Sequence, residues 1–185
     1  MQGSHLGGYH RQVDPPPLPT TSWAVLGLLS FGRELTGYEL KKWAEQTLAH
    51  FYWSPQSGEI YRELSRLEGA GYVAVDTLPG ELGGRRRYRI TPDGEDALRG
   101  WVARTPLPAA FRLWLGHLQD PDRLRDSLRA ARAAADKLRA HAEADALTLS
   151  DSPELAHAVL ALRLSARSHA AERDRLTAAL TELDT

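Results

Sequence analysis

Between Ser57 and Ile90 the hydrophobic pattern of the chain changes period, and that change restricts the fold more than any other feature. Over Ser57–Glu68 the apolar residues Ile60, Tyr61, Leu64 and Leu67 recur at i, i+1, i+4 and i+7. That spacing marks the inner face of a helix, with Glu59, Arg62, Glu63 and Arg66 facing out. From Tyr72 the period becomes two. Tyr72–Leu78 reads as a strand, Pro79-Gly80-Glu81-Leu82-Gly83-Gly84 as a mobile turn, and Arg86–Ile90 as the return strand. Tyr88 and Ile90 share one face of that strand and Arg87 and Arg89 the other, because side chains alternate across a sheet.

The flanking segments are helical. Ser22–Phe31 reads as a short helix capped by Ser22, with Trp23, Ala24, Leu26 and Leu29 turned inward and Gly32 at its end. Thr36-x-x-Glu39 is a capping box that opens a second helix. Its apolar side carries Tyr38, Leu40, Trp43, Ala44, Thr47 and Leu48, and Trp53-Ser54-Pro55-Gln56 breaks it from the third. Thr91-Pro92 starts a further helix to about Ala103, with proline at the first helical position. The order helix, helix, helix, strand, turn, strand, helix is that of a helix-turn-helix with a β-wing.

After Pro106 and Pro108 the chain becomes wholly helical. Ala109–Leu118 reads as an apolar helix, Asp120-Pro121 opens a long one to about Leu147, and a last helix runs from Glu154 to Leu183. Leu155, Val159, Leu162, Ala166, His169, Arg173, Leu176, Leu180 and Leu183 recur along it at alternating +4 and +3. That is a coiled-coil seam, interrupted at His169 and Arg173 by polar residues that suit register control. It predicts dimerisation, with packing against residues 121–147 as its intramolecular counterpart. The expected fold is therefore mainly α: a winged helix-turn-helix domain with a two-stranded β-wing, then a long-helix dimerisation region. Its divisions are a flexible arm or engineered remnant over 1–20, the DNA-binding domain over 21–105, and a dimerisation and effector domain over 106–185.

Composition narrows the chemistry. The 185 residues include no cysteine, which excludes disulfides, thiolate metal sites and cysteine nucleophiles. The seven histidines are scattered without metal-ligand spacing, no nucleophile elbow or P-loop ending occurs, and no metal, cofactor or enzymatic role is expected. Neither an apolar run long enough to span a membrane nor a signal peptide is present, so a cytoplasmic location is expected. The net charge is −1 and neither half of the chain is basic, so any nucleic-acid signal must be local. It is local: Arg85, Arg86, Arg87 and Arg89 fall within five residues at the wing.

The second helix of a helix-turn-helix enters the major groove while the first braces the backbone. On Ser57–Glu68 the groove-facing candidates are Ser57, Glu59, Tyr61, Arg62 and Arg66. Arg62 and Arg66 suit phosphates or guanine edges, Glu59 can accept from cytosine N4, and Ser57 with nearby amides can hold a phosphate. Arg85, Arg86 and Arg87 beside a glycine-rich turn suit a phosphate chain or a narrow minor groove. The partner expected is double-stranded DNA.

Three strings carry a family resemblance: Gly37-Tyr38-Glu39-Leu40; Gly58-Glu59-Ile60-Tyr61-Arg62-Glu63-Leu64 through Leu67-Glu68-Gly69-Ala70-Gly71; and Arg85-Arg86-Arg87-Tyr88-Arg89-Ile90-Thr91-Pro92-Asp93-Gly94. They resemble the PadR family of bacterial transcriptional regulators, closely over about residues 22–104 and by layout beyond. Arg62 replaces that family's usual proline, and Glu59 a small polar residue. The resemblance implies a homodimer built by C-terminal helices, a palindromic operator, and repression relieved by a small aromatic molecule. By position it puts DNA contacts on Ser57, Tyr61 and Arg85 to Arg87, and gives Tyr38 a supporting role in the core. Trp101, Phe111 and Trp114 are the candidate effector contacts, their helical spacing also suiting a core. Two other readings use the same elements: a helical protein-interaction module whose winged helix does not touch DNA, and a MarR-like regulator.

Overall fold

The computed structural model of the chain describes residues 18–53, 56–78 and 85–185. Most of the expected N-terminal arm, the Ser54-Pro55 break and the turn at 79–84 lie outside those residues. The chain divides into two compact units, Met1–Leu98 and Arg99–Thr185.

In the first unit α1 (Thr20–Leu29) is apolar on every side, and Ala24, Val25, Leu26, Leu28 and Leu29 are fully buried. Ser22 is not its cap. The helix begins two residues earlier, and Ser22 lies in the core among these side chains. α2 (Gly37–Gln46) begins with the reciprocal box: the Glu39 amide donates to Thr36 Oγ1 at 3.3 Å and the Thr36 amide to Glu39 Oε2 at 2.8 Å. Leu40 and Ala44 form its buried side, whereas Tyr38, expected in the core, is 70% exposed. A short 3-10 turn at Leu48–His50 leads on toward α3 (Ser57–Gly69).

Ile60, Leu64 and Leu67 are buried on α3 as their spacing requires. Two expectations for that helix are reversed. Tyr61, expected on the inner face, is 50% exposed, and Glu63, expected in solvent, is only 3% exposed. At about 100° per residue, Glu63 falls nearer than Tyr61 to the centre of the arc that Ile60, Leu64 and Leu67 define. Residue type pointed one way and helical geometry the other, and geometry prevailed. After Gly69, the last helical residue, Gly71 turns the chain at φ +76°.

The sheet has one strand more than expected. β1 (Leu35–Thr36), β2 (Val73–Leu78) and β3 (Arg85–Ile90) pair antiparallel in the order β1-β3-β2. β1 is too short to show a period of two. Leu35 and Val75 both stand opposite Tyr88, which is buried. The wing is thus anchored on both edges of β3. Its exit is fastened by Thr91. The Thr91 amide donates to the Tyr72 carbonyl at 3.0 Å, its hydroxyl donates to the Gly71 carbonyl at 2.8 Å, and the Gly94 amide donates to that hydroxyl at 3.0 Å. α4 (Pro92–Arg104) then follows.

In the second unit α5 (Ala109–Trp114) is shorter than the expected 109–118, because the chain tightens into a 3-10 turn at Gly116–Leu118. Trp101, Phe111 and Trp114 make one aromatic cluster, with ring centroids 6.1 and 5.8 Å from the buried Phe111. α6 (Pro121–Thr148) is capped by Asp120, whose carboxylate accepts from the amides of Asp122 and Arg123 at 3.1 and 3.0 Å. α7 (Ala156–Leu183) runs back along it, and Arg125–Asp184 and Asp136–Arg173 pair at 3.1 and 3.4 Å.

The seam of α7 faces that partner. Leu176 and Leu180 share one buried cluster with Leu124 and Leu128, while Val159 and Ala166 are buried and Leu155, Leu162, His169, Arg173 and Leu183 half-buried. The intramolecular packing expected beside dimerisation is therefore present where Leu176 and Leu180 meet the apolar face of α6. The leucines most exposed in this unit are others: Leu160 and Leu164, one turn apart on α7, and Leu138 and Leu147 on α6.

A Cβ on Gly94 would come within 2.2 Å of the Tyr72 carbonyl oxygen, a backbone atom that cannot swing aside. A Cβ on Gly58 would meet nothing within 4 Å. Gly94→Ala is expected to cost about 1–3 kcal/mol in urea unfolding, and Gly58→Ala to be neutral or slightly stabilising. Equal effects would mean that the Tyr72–Gly94 approach does not constrain the fold.

Candidate nucleic-acid interface

α2, α3 and β3 of the first unit enclose an open cleft of about 780 Å³ lined by Tyr38, Lys42, Tyr61, Ser65 and Arg85 to Arg87. Its floor depends on a missing side chain. A Cβ on Gly37 would lie 2.3 Å from the Tyr61 ring, so glycine here lets that ring lie on the first turn of α2. Tyr38 and Tyr61 therefore both present aromatic surface to solvent from adjacent helices.

Of the five groove-facing candidates, Ser57, Tyr61, Arg62 and Arg66 are exposed on α3. Glu59 is half-buried, and its carboxylate accepts from the Gln56 amide at 2.8 Å. It thus satisfies one of the free donors at the helix start through Oε2. Arg66 is also engaged: it donates to Glu63 at 2.6 Å, while Arg62 Nε stands 3.9 Å from the other carboxylate oxygen. The Ser22 hydroxyl donates to the same carboxylate from α1. Glu63 is thus a buried anion with partners on two sides, the condition under which burial of a charge is tolerable. It ties α1 to α3 and fixes one edge of the Arg66 guanidinium.

The wing arginines are not equivalent. Arg86 donates twice to Glu68, both bonds 2.8 Å, and lies 5.5 Å from the Tyr88 ring centroid. Among the described residues, Arg85 and Arg87 make no ion pair. The Arg87 Nε is buried without a hydrogen-bond partner. Arg89 stands 3.6 Å from Asp76 across the sheet. Burial raises the Tyr88 phenol above its ordinary range, and Arg86 partly offsets this.

Lys42 and Ser65 were missed by the sequence reading. Each lies four residues after an exposed tyrosine, Tyr38 and Tyr61, and so falls on the same helix face. That signal was available only once both tyrosines were known to point outward. Among the described residues no group of histidine and acidic side chains is arranged to hold a metal, and no helix is long and apolar enough to cross a membrane.

A three-stranded sheet carrying a wing, an exposed helix beside it and a cationic cleft between them define a winged helix-turn-helix unit. Residues 25–100 match the model of the transcriptional regulator PadR-like family. The negative transcriptional regulator PadR of Bacillus subtilis (strain 168) is 33% identical over 92 residues, 49% of this chain and 50% of that protein. The chain thus matches about half the length of this curated relative. Among solved structures, Bacillus subtilis PadR in complex with operator DNA is 22% identical, with a TM-score of 0.44 over 90% of this chain and 99% of that one. A PadR-like transcriptional regulator from Bacillus cereus is also 22% identical, with a TM-score of 0.39 over 89% and 98%.

The bonds to Thr36, from its amide first and its hydroxyl second, hold the Glu39 carboxyl below the ordinary glutamate range, aided by Arg87 and Arg85. A carboxyl whose folded pKa is depressed stabilises the fold above its unfolded pKa and loses that contribution as pH falls through the folded one. Wild type should therefore lose more stability than Glu39→Gln between neutral pH and about pH 3–4. Parallel pH-stability curves would contradict the capping geometry. Ser22→Ala, which removes the buried donor to Glu63, should cost about 1–3 kcal/mol in urea unfolding. A loss within about 0.5 kcal/mol, as at a solvated surface site, would mean that water reaches the carboxylate.

Proposed function

We propose that this chain is a DNA-binding transcriptional regulator that acts as a homodimer on a palindromic operator, as a repressor and not as an enzyme. The observation that carries the reading is the cleft. It presents Arg85 and Arg87, which make no ion pair among the described residues, beside Lys42, Tyr38 and Tyr61, with Glu39 as the acidic residue of the lining, on a chain with no net basic charge. Positive charge gathered on a concave face suits a phosphate chain. Ser57, Tyr61 and Arg62 are the residues of α3 placed to meet the groove. Glu59 and Arg66 contribute through the cap and the Glu63 pair described above.

The second unit supplies the dimer in this reading. Leu160 is 60% and Leu164 66% exposed, and two adjacent leucines in solvent are better covered by a second copy. The seam from Leu155 to Leu180 supports that surface from beneath. The small aromatic effector implied by the family resemblance would meet Trp101 and Trp114, the two half-buried rings of the aromatic cluster, with Phe111 as their buried support.

Two measurements test these parts. In a mobility-shift titration with DNA from upstream of the gene, Arg85→Ala/Arg87→Ala should weaken binding by more than about tenfold, since hydrogen bonds to charged groups are worth roughly 1.5–3 kcal/mol each. If wild type and variant bind equally weakly at low salt, the DNA reading gives way to a protein-interaction module. Light scattering should find wild type dimeric and Leu160→Glu/Leu164→Glu monomeric with its fold retained. An unchanged dimer would move the interface to another face.

A further inference from the structure

We propose that Arg86 is a strut and not a DNA contact: with Glu68 it sets the angle between the wing and α3, leaving Arg85 and Arg87 as the contacts of the triplet. This inference rests on the DNA-binding reading and divides its machinery further.

The division begins with the pleat. Successive residues of a strand point to opposite faces. Tyr88 is buried, so Arg86, two residues before it, leaves the ribbon on the core side, its side chain still 45% exposed at the edge of the cleft, and Arg85 and Arg87 leave on the other. On the core side Arg86 meets Glu68 through two parallel bonds of 2.8 Å, the fork geometry that suits guanidinium to carboxylate. The Tyr88 ring, 5.5 Å away, lies against the same group. Arg86 thus has three constraints, and its two neighbours have no ion pair among the described residues.

The position of Glu68 gives the pair its role. It lies eleven residues after Ser57, about 16 Å along the axis at 1.5 Å per residue. Ser57 begins the end of α3 that reads a groove in this fold. A bond at the opposite end cannot read bases. It joins the last turn of α3 to β3 eighteen residues later in the chain, and so fixes how far the wing stands from the helix. Both elements must meet one duplex at once, and a wing free to pivot would lower the fraction of molecules in the binding geometry.

Full-length protein is titrated with DNA from upstream of the gene at several salt concentrations, with Arg85→Ala, Arg86→Ala, Arg87→Ala, Glu68→Gln and the exchanged pair Glu68→Arg/Arg86→Glu. Arg86→Ala and Glu68→Gln should each weaken binding about two- to fivefold, the range an exposed ion pair supplies. Neither should change the slope of log affinity on log salt, and the exchanged pair should recover the loss. Arg85→Ala and Arg87→Ala should each reduce that slope by about 0.9 for every phosphate they no longer neutralise. The strut is overturned if Arg86→Ala lowers the slope as its neighbours do, or if Glu68→Gln tightens binding, which would make Glu68 a competitor of the phosphate. Amide exchange of residues 73–78 and 85–90 in the DNA-free protein gives a second readout. It should quicken in Arg86→Ala and Glu68→Gln but not in Arg85→Ala, and equal rates in all three overturn the strut. If exchange behaves as expected while no variant alters the salt slope, the strut stands and the DNA-binding reading fails.

Discussion

Burial of the Tyr88 ring at the centre of the sheet governs most of what the first unit can do. β3 is hydrogen-bonded on both edges, to β1 and β2, so it cannot rotate or slip without breaking two ladders. A slip of one residue would bring Tyr88 to the surface and an arginine into the core. Fixing that one ring therefore fixes the direction of every arginine beside it. It also joins the wing to the start of α2, since β1 ends at Thr36, the cap of that helix. One strand thus sets the relative positions of the wing, the Glu39 box and the cleft between them.

The same unit uses polar groups as braces where their exposure would suggest reading heads. Glu63 lies in the core and is held by Ser22 and Arg66. Glu59 covers the start of α3, and Glu68 holds Arg86. In a chain of net charge −1, carboxylates placed this way engage some arginines and leave Arg85 and Arg87 without an ion pair among the described residues. Neutral composition is therefore compatible with a locally cationic face, and bulk charge is a poor guide to this molecule.

Much of the architecture was legible in the sequence, for identifiable reasons. The Thr36–Glu39 box, the Thr91-Pro92 start of α4 and the Asp120-Pro121 start of α6 are local motifs whose partners lie within a few residues, and they form as read. The switch from period 3.6 to period 2 located α3 and the wing. What escaped depended on distant partners. Ser22 looked like a cap because its acceptor, Glu63, is forty-one residues away. Tyr38 looked like core because it is aromatic, and Tyr61 fitted the inner face by its spacing and the groove side by its place in the helix-turn-helix, yet both lie outward, with the Tyr61 ring across Gly37. β1 is two residues long and owes its existence to β3. The spacing of the α7 seam offers either a second copy or residues 121–147 as its cover, and at Leu176 and Leu180 the α6 helix of the same chain is packed against it.

The central claim is that the cleft between α3 and β3 is where this protein meets DNA. Hydrogen exchange of the full chain, with and without DNA from upstream of its gene, tests it most directly. The account predicts slowed exchange at residues 57–66 and 85–89 when DNA is added, with the α6–α7 hairpin little changed. Protection confined to residues 121–183, or none anywhere at a DNA concentration that shifts the protein, would contradict it.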